Sequence, residues 1–342
     1  MSNRDRAPSA LVFGCAGPAL SAAERDFFRD ADPAGFILFR RNCVEPGQVA
    51  ALVADLKAAG GRPDTPVLID QEGGRVQRLK PPHWRAAPAA ARIGALAPDS
   101  AERAAWINAR LIAAELHALG ITIDCMPVLD LPAPGAHEVI GNRALGIEPD
   151  QVARLGRAVV AGLMAGGVLP VIKHAPGHGR ALVDSHEHCP VVEASESALL
   201  AHDVPPFQAL ADAPFAITAH VVYTAWDRAL PATLSPTVIE RIIRGRIGFA
   251  GTLLTDDLSM KALGGSLVER ATAALVAGCD LALHCNGNLA EMTELAAAIG
   301  PMTGASAARF ARSLSARRAP EPADSVALLA ELEAMLAGER AA

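Results

Sequence analysis

FAGTLLTDDLSM, residues 249–260, is the stretch of sequence that decides the predicted fold. Its first part is a short β-rich run in which apolar residues stand side by side, as is typical of a strand covered on both faces. The run ends in two carboxylates, Asp256 and Asp257, and a helical segment follows. VLID, residues 67–70, also ends an apolar run in a carboxylate. Such strands in alternation with helices predict a parallel sheet.

Eight β-rich runs, each followed by a helical segment with a period of 3.6, are predicted along the 342 residues. This is the count of a closed (β/α)8 barrel of the TIM type, and no GxGxxG follows the first run to favour an open dinucleotide-binding sheet. We expect an α/β chain with a single barrel domain over residues 1–342. The barrel covers about 10–300, and a short C-terminal helical extension, about 304–342, packs on its outside. The predicted strands are residues 11–17, 35–39, 66–70, 121–126, 169–174, 215–220, 252–256 and 280–284, and the predicted helices are residues 21–30, 46–59, 101–119, 150–165, 195–211, 236–247, 267–277 and 289–298.

The composition limits the classes of partner. Lys and Arg total 31 against 37 Asp and Glu, a net charge of −6, so nucleic acid is not expected as a partner. No run of 18 apolar residues occurs, so no membrane span is expected. The six cysteines form no CxxC pair, which favours a reduced chain. We expect a cytoplasmic monomer that acts on a small molecule.

Polar residues stand at the carboxyl ends of the predicted strands. Any one of them could merely cap the following helix. Barrel enzymes, however, build their sites from the carboxyl ends of many strands, so six such positions predict an active site at this end. The positions are Asp70, Asp124, Lys173 with His174, His220, Asp256 with Asp257, and His284.

The first motif is IDQEGGRVQRL, residues 69–79. Gly73 and Gly74 predict a turn that lets the backbone approach a ligand closely. Arg75 and Arg78 are three residues apart, so on a helical turn they would share a face. A carboxylate beside arginines, Asp70 here, indicates recognition of polyol hydroxyls. The alternative is an ordinary loop with a surface ion pair.

The second motif is VIKHAPGHGRALVDSHEHC, residues 171–189, which holds four of the ten histidines. Asp184 can hold one nitrogen of His186 and leave the other free as a general acid and base. A metal site is the alternative, because His186 and His188 with Cys189 or His174 are ligand types that zinc accepts.

The third motif is the Asp256–Asp257 pair, delivered to the barrel end by an apolar strand. A desolvated carboxylate held by hydrogen-bond donors can attack carbon as a covalent nucleophile. The alternative is that the pair only caps the next helix.

Together the motifs resemble the family 3 glycoside hydrolases, and in particular the bacterial β-N-acetylglucosaminidases of peptidoglycan recycling. The resemblance rests on KHAPGHG (173–179) and DSH (184–186), with DQEGGRVQR (70–78) upstream and TDDLSM (255–260) downstream. Order and spacing agree from about residue 35 to 290. The resemblance implies a (β/α)8 barrel, a retaining mechanism, no metal and no other cofactor.

The resemblance also implies roles for individual residues. Asp256 matches the nucleophile, and Asp184 orienting His186 matches the acid/base dyad. The implied function is a retaining exo-β-N-acetylglucosaminidase that removes terminal β-1,4-linked N-acetylglucosamine from muropeptides in cell-wall recycling, through a covalent glycosyl-enzyme. The positions that match the family's sugar-binding residues are Asp70, Arg78, Arg143 in IGNRALG, Lys173 and His174.

Two other classes of function remain open at this point. A metal-dependent amidohydrolase on the same barrel would use the histidine cluster, but it normally has HxH at the end of its first strand, where this chain has GCAG (14–17). A non-catalytic sugar-binding barrel would keep Asp70 and need neither Asp256 nor His186.

Overall fold

The computed structural model describes residues 7–62 and 64–338. Eight parallel strands close into a barrel, in which each strand pairs with the next along the chain and the last pairs with the first. The closing pair aligns Leu11 with Ala282. The predicted (β/α)8 barrel is therefore confirmed. Its strands are β1 (Ser9–Gly14), β2 (Pro33–Leu38), β3 (Val67–Ile69), β4 (Ile123–Asp124), β5 (Leu169–Ala175), β6 (Phe215–Thr218), β7 (Thr252–Asp257) and β8 (Leu281–His284).

The strands are buried along their lengths, except at the end of β7, where Asp256 and Asp257 are partly buried. Every residue of β1, β2 and β5 is buried. One face of each strand points into the barrel and the other packs under the helices, which explains why apolar residues follow one another in these runs.

A helix or helical stretch follows each strand, and a short additional helix, Ala90–Gly94, stands between β3 and the long helix after it. Local signals in the sequence set several of the starts: Ser21 accepts the backbone N–H of Glu24, which bonds back in a capping box, and Pro46 occupies the first turn of its helix. The helices are α1 (Ala22–Ala31), α2 (Pro46–Ala59), α3 (Pro98–Ala118), α4 (Pro149–Ala165), α5 (the consecutive segments Glu196–Ala198, Leu199–Asp203 and Pro205–Ala209), α6 (Val238–Arg246), α7 (Leu267–Ala277) and α8 (Leu289–Ala298).

Two of these stretches depart from the regular α-helices that the sequence predicts. The middle of α5 and the whole of α6 are π-helical. In α5 the amide of Val204 donates to the carbonyl of Leu199, five residues back, and the next residue, Pro205, has no N–H to resume the α-helical pattern.

The C-terminal segment packs on the outside of the barrel. It contains α9 (Gly304–Ser315) and α10 (Ser325–Gly338), and residues 339–342 of the predicted extension lie outside the described residues. Glu331 of α10 accepts two hydrogen bonds of 2.8 Å from Arg103 of α3, and Leu332 is buried. In the part of the chain that the structure describes, no helix is both long enough and apolar enough to span a bilayer.

Asp280, just before β8, ties the extension to the barrel. Its fully buried carboxylate accepts the backbone N–H of Leu253 at 2.9 Å, a guanidinium N–H of Arg244 at 2.9 Å and one of Arg309 at 2.6 Å. One carboxylate therefore holds β7, α6 and α9 together. Its removal would leave two half-buried guanidinium groups without a counter-charge.

We expect Asp280→Ala to lower the free energy of unfolding by about 3–5 kcal/mol, the usual cost of removing one partner of a buried ion pair. Denaturant unfolding at pH 7 measures this cost. Glu331→Ala is the control: it breaks the exposed pair with Arg103 and should leave the free energy of unfolding nearly unchanged. Equal effects of the two substitutions would contradict a central role for Asp280.

Candidate active site

A cavity of about 330 Å³ opens at the carboxyl ends of the barrel strands. The sequence predicts the active site at this end of the barrel. Asp184, which the cavity wall does not include, stands behind His186 at hydrogen-bond distance. The predicted site residues that line the cavity are Asp70, Arg78, Arg143, Lys173, His174, His186 and Asp256.

A chain of ion pairs forms one wall of this cavity. The ammonium group of Lys173, on β5, donates to Asp70 at 2.8 Å and lies 2.6 Å from Glu72. Asp70 also accepts a hydrogen bond of 3.0 Å from Arg78. Arg143 forms two bonds of 2.8 Å with the carboxylate of Glu72. The four predicted sugar-binding residues of this wall are thus brought together by a fifth, Glu72, which the sequence reasoning missed.

Burial and charge act in opposite directions on these carboxylates. Burial alone would raise the pKa of Asp70, but Lys173 and Arg78 outweigh it and hold that pKa well below its usual value. Burial would also raise the pKa of Glu72, but Lys173 and Arg143 outweigh it and lower that pKa to about 2. Both groups are therefore ionised at neutral pH. Asp70 lines the cavity and can accept hydroxyl groups there, whereas Glu72 holds Lys173 and Arg143 in place from behind.

The first motif forms a β-hairpin instead of the helical turn expected for Arg75 and Arg78. Residues 71–73 pair antiparallel with residues 76–77, so the two arginines diverge. Arg75 donates to the carbonyls of residues 138–140, whereas Arg78 lines the cavity. Two consecutive glycines with positive φ allow the tight turn of this hairpin.

The two glycines also serve a different purpose from the close ligand approach that the sequence predicts. A Cβ on Gly73 would lie 2.4 Å from the carbonyl oxygen of Pro88, and one on Gly74 would lie 2.8 Å from the Cβ of Ala89. The backbone that approaches these glycines is therefore that of the following loop.

The two carboxylates at the end of β7 have different surroundings. Asp257 accepts hydrogen bonds from the backbone and hydroxyl of Ser259, at 3.1 and 2.6 Å, and from the backbone of Cys285 at 3.2 Å. Among the residues that the structure describes, Asp256 accepts only the backbone N–H of Asp257, at 2.8 Å on Oδ1. Its Oδ2 lies 3.9 Å from Nε2 of His174 at the floor of the cavity.

The pKa of Asp256 lies below its ordinary value. Burial acts to raise it, but the charges of His174 and His220 and the N–H of Asp257 outweigh that effect. Asp256 therefore presents an ionised carboxylate with one oxygen available to a ligand.

Asp130 fixes the orientation of His174 and is a second residue that sequence reasoning missed. Its Oδ2 lies 2.6 Å from Nδ1 of His174, and its Oδ1 accepts the backbone N–H groups of His174 and His178 at 3.1 and 2.7 Å. Because a carboxylate can only accept, Nδ1 carries a proton and Nε2 is left to face Asp256. Burial acts to raise the pKa of Asp130, but His174 and the nearby donors outweigh it and lower that pKa to about 2.

His186 and Asp184 form the pair that the sequence predicts. Nδ1 of His186 lies 2.7 Å from Oδ1 of Asp184, which also accepts the backbone N–H of His186 at 2.9 Å. The imidazole is 64% exposed, and its second nitrogen has no partner among the residues that the structure describes. The dyad sits on a loop, whereas the carboxylates of the cavity sit at strand ends.

Three of the predicted rim residues stay out of the cavity. Asp124 is buried and accepts the backbone N–H of Gln71, and burial raises its pKa. His220 bonds to Thr233 at 2.7 Å, and burial lowers its pKa. His284 bonds to Glu291 at 2.8 Å. These three positions serve the packing of the barrel end.

The metal-ligand set that the second motif left open is not assembled. Within residues 7–62 and 64–338, no three His, Cys, Asp or Glu side chains lie in an arrangement that could hold a metal ion. His178, for example, bonds through Nε2 to Ser185 at 3.0 Å inside the protein.

The cavity thus holds an ionised carboxylate at a barrel strand end and an imidazole bonded to a second carboxylate, an arrangement that a glycoside hydrolase can use. The comparison with known families agrees. Residues 10–313 match the model of the glycosyl hydrolase family 3 N-terminal domain. The chain therefore belongs to glycosyl hydrolase family 3, whose members act on carbohydrates.

Relatives place the chain in the β-hexosaminidase group of this family. A β-hexosaminidase of Methylococcus capsulatus is 40% identical over 282 residues, which cover 80% of this chain and 82% of that protein. One from Bordetella avium is 38% identical over 286 residues, 82% of this chain and 81% of the relative. The crystal structure of NagZ from Neisseria gonorrhoeae in complex with N-trifluoroacetyl-D-glucosamine is similar with a TM-score of 0.85 and 33% identity, over 97% of both chains.

We expect Asp130→Asn to cost on the order of 2 kcal/mol of unfolding free energy at pH 7, because the native carboxylate is held ionised. A pKa of about 2 in the folded protein lies below the value near 4 of an unfolded chain. The stabilisation from this ionised group is therefore complete above about pH 4 and is lost as the pH falls towards 2. The free energies of unfolding of the wild type and of Asp130→Asn, measured as a function of pH, should therefore converge between pH 4 and pH 2.

The control for this comparison is Asp212→Asn, which affects an exposed carboxylate paired with Arg157. Its curve should run alongside that of the wild type at every pH. A constant gap between Asp130→Asn and the wild type down to pH 2 would show that the charge of Asp130 does not matter.

Proposed function

We propose that this chain is a retaining exo-β-N-acetylglucosaminidase in which Asp256 is the nucleophile and His186, oriented by Asp184, is the acid and base. The observation that carries the proposal is the ionised carboxylate of Asp256, with one free oxygen, at the floor of a cavity that His186 also lines. Retaining hydrolysis needs these two functions on opposite sides of the scissile bond.

The choice of Asp256 over Asp257 rests on their hydrogen bonds. The three donors on Asp257 occupy its oxygens and fix it as a support for the loop after β7. A nucleophile must instead present an oxygen to the anomeric carbon, and Oδ2 of Asp256 is directed into the cavity beside His174. The carboxylate then forms an ester with the sugar as the leaving oxygen departs.

The proposed acid/base role of His186 rests on the one hydrogen bond that its imidazole makes among the described residues. With Nδ1–H donated to Asp184, the other nitrogen can deliver a proton to the departing oxygen and later take one from water. Asp184 stays ionised, because its pKa is lowered by the donors of His186 against the effect of burial. An imidazole here avoids a second negative charge close to Asp256, which would raise the pKa of the nucleophile.

The wall of ion pairs is proposed to hold the terminal sugar. Asp70 keeps lone pairs for sugar hydroxyls, while Lys173, Arg78 and Arg143 supply donors and Glu72 holds two of them in place. A cavity of about 330 Å³ suits one sugar residue better than the middle of a polysaccharide, which supports an exo-acting enzyme.

The proposed substrate is a β-1,4-linked N-acetylglucosamine at the end of a muropeptide, and the proposed role is cell-wall recycling. The similarity to NagZ bound to N-trifluoroacetyl-D-glucosamine supports the N-acetylglucosamine part. All six cysteines are free thiols, which supports action in the reducing cytoplasm.

Release of chromophore from an aryl N-acetyl-β-glucosaminide, with and without a chelator, tests the proposal against its alternatives. A metal-dependent amidohydrolase would lose activity with the chelator, and a sugar-binding protein would release nothing. The proposal predicts the same release under both conditions.

Replacement of the nucleophile gives the first mechanistic prediction. Asp256→Ala should abolish turnover, because no other carboxylate in the cavity has a free oxygen placed to form the ester. Asp257→Ala should lose part of the activity through the loosened loop and keep a measurable rate. Steady-state rates on the aryl glycoside measure both, and the reverse order of losses would show that Asp257 is the nucleophile.

Replacement of the proposed acid/base residue gives the second mechanistic prediction. His186→Ala should slow hydrolysis of chitobiose or a muropeptide by roughly 10²–10⁴-fold, because their leaving oxygen needs a proton. An aryl glycoside with an acidic phenol should form its covalent intermediate nearly as before. That intermediate should accumulate, since water has lost its base, and azide should restore turnover by direct attack.

Asp184→Asn is the matched variant for this experiment, because it removes only the group that orients the imidazole. It should show the same pattern in milder form. Equal losses on both kinds of substrate, without rescue by azide, would rule out His186 as the acid/base.

A further inference from the structure

A second cavity, of about 660 Å³, lies at the opposite end of the barrel from the proposed active site. Pro66 and Thr122, which precede β3 and β4, and Leu169, the first residue of β5, form part of its wall. In barrel enzymes this end normally serves stability, so a cavity of small-molecule size there needs its own explanation.

The cavity is bounded on one side by the segment that joins α9 to α10, residues 316–324, called the strap here. Nε of Arg317 donates to the carbonyl of Gly167 at 2.9 Å, and the backbone N–H of Glu321 donates to the carbonyl of Ala165 at 2.8 Å. Arg110, buried in α3, donates to the carbonyl of Glu321 at 2.6 Å. The strap is thus fixed at several points, and the cavity is a built feature of the fold.

Positive charge gathers around this cavity. Arg317, Arg318 and His117 line it, and Lys57 approaches from α2 by donating to the carbonyl of Gly120 at 2.7 Å. Across the described ranges 7–62 and 64–338, neither the two arginines nor the lysine forms an ion pair. Asp64 is the one acidic residue among the described lining residues.

The mutual effects of these cations agree with the geometry. Burial and then the charge of Arg317 lower the pKa of Lys57, and only Asp64 acts against them. Burial, Arg317, Arg110 and Lys57 all lower the pKa of His117. The basic groups therefore repel one another, and an anion placed between them would remove that repulsion.

Helix termini explain only a part of this arrangement. The helices of a barrel end at this face, and cations there bond to free carbonyl groups. Lys57 and Arg317 each use one N–H in this way. The remaining N–H groups, and the whole guanidinium of Arg318, stay available within the described structure.

We propose that this cavity binds a small phosphate-bearing molecule. Arginine forks match the geometry of phosphate oxygens, a lysine beside them adds charge, and a histidine adds a hydrogen-bond donor. Pro66, Leu169 and Leu314 offer an apolar surface for the organic part of such a molecule. The site is separate from the sugar-binding cavity and does not depend on the proposed hydrolysis.

Calorimetric titration of the full chain at low salt tests this proposal, with two probes. Pyrophosphate measures recognition of the charge alone, and AMP measures recognition of a phosphate with an organic body. We expect both to bind the wild type, with AMP the tighter if the apolar wall contributes. Arg318→Glu should weaken binding of both probes at least tenfold, because it reverses a charge that holds no internal bond.

Arg312→Gln is the matched control, since it removes a guanidinium from the same end of the molecule that bonds to Ala250 and does not line the cavity. It should bind both probes as the wild type does. The far-ultraviolet circular dichroism spectrum should be equal in the wild type and both variants, which shows that they fold. Failure of the wild type to bind either probe, or equal binding by Arg318→Glu, would overturn the proposal.

Discussion

The ammonium group of Lys173, held between the carboxylates of Asp70 and Glu72, is the interaction on which the rest of the site depends. Its side chain is 3% exposed, so its charge is tolerated only because both anions lie within hydrogen-bond distance. The same anions hold Arg78 and Arg143, so three separate segments of the chain meet at one lysine. The pKa of Lys173 is raised, since the two carboxylates outweigh the effect of burial. A wall of fixed charges results, and its remaining donors and acceptors can recognise hydroxyl groups without rearrangement.

The proposed catalytic groups are divided between rigid and exposed parts of the molecule. Asp256 lies near the end of β7, and Asp130 fixes the neighbouring His174 with a bond of 2.6 Å. A nucleophile benefits from this rigidity, because a misplaced attacking oxygen loses much of its advantage. The dyad of Asp184 and His186 lies on an exposed loop, where the imidazole can reach both the leaving oxygen and water. The structure thus combines a fixed floor with an accessible proton carrier.

The sequence predicts the barrel and most of the site because both depend on local patterns. Apolar runs locate the strands, and the polar residue that ends a run, such as Asp256, locates the rim. Glu72 and Asp130 escape this reasoning because their roles come from contacts across the fold: Glu72 meets Arg143, 71 residues away, and Asp130 meets His174, 44 residues away. The hairpin at Gly73 is missed for a similar reason, because the carbonyl of Pro88 that requires a glycine there belongs to the following loop.

The net charge of −6 hides a difference between the two ends of the barrel. At the carboxyl end, Lys173, Arg78 and Arg143 each face a carboxylate, so the cavity is polar but nearly balanced. Such a site favours a neutral, hydroxyl-rich ligand, whose hydrogen bonds replace those of water. At the amino end, Asp64 is the one acidic residue among the described residues that line the second cavity, against two arginines. The two ends therefore select for ligands of different charge, and a sugar and an anion can occupy the same barrel without competing for it.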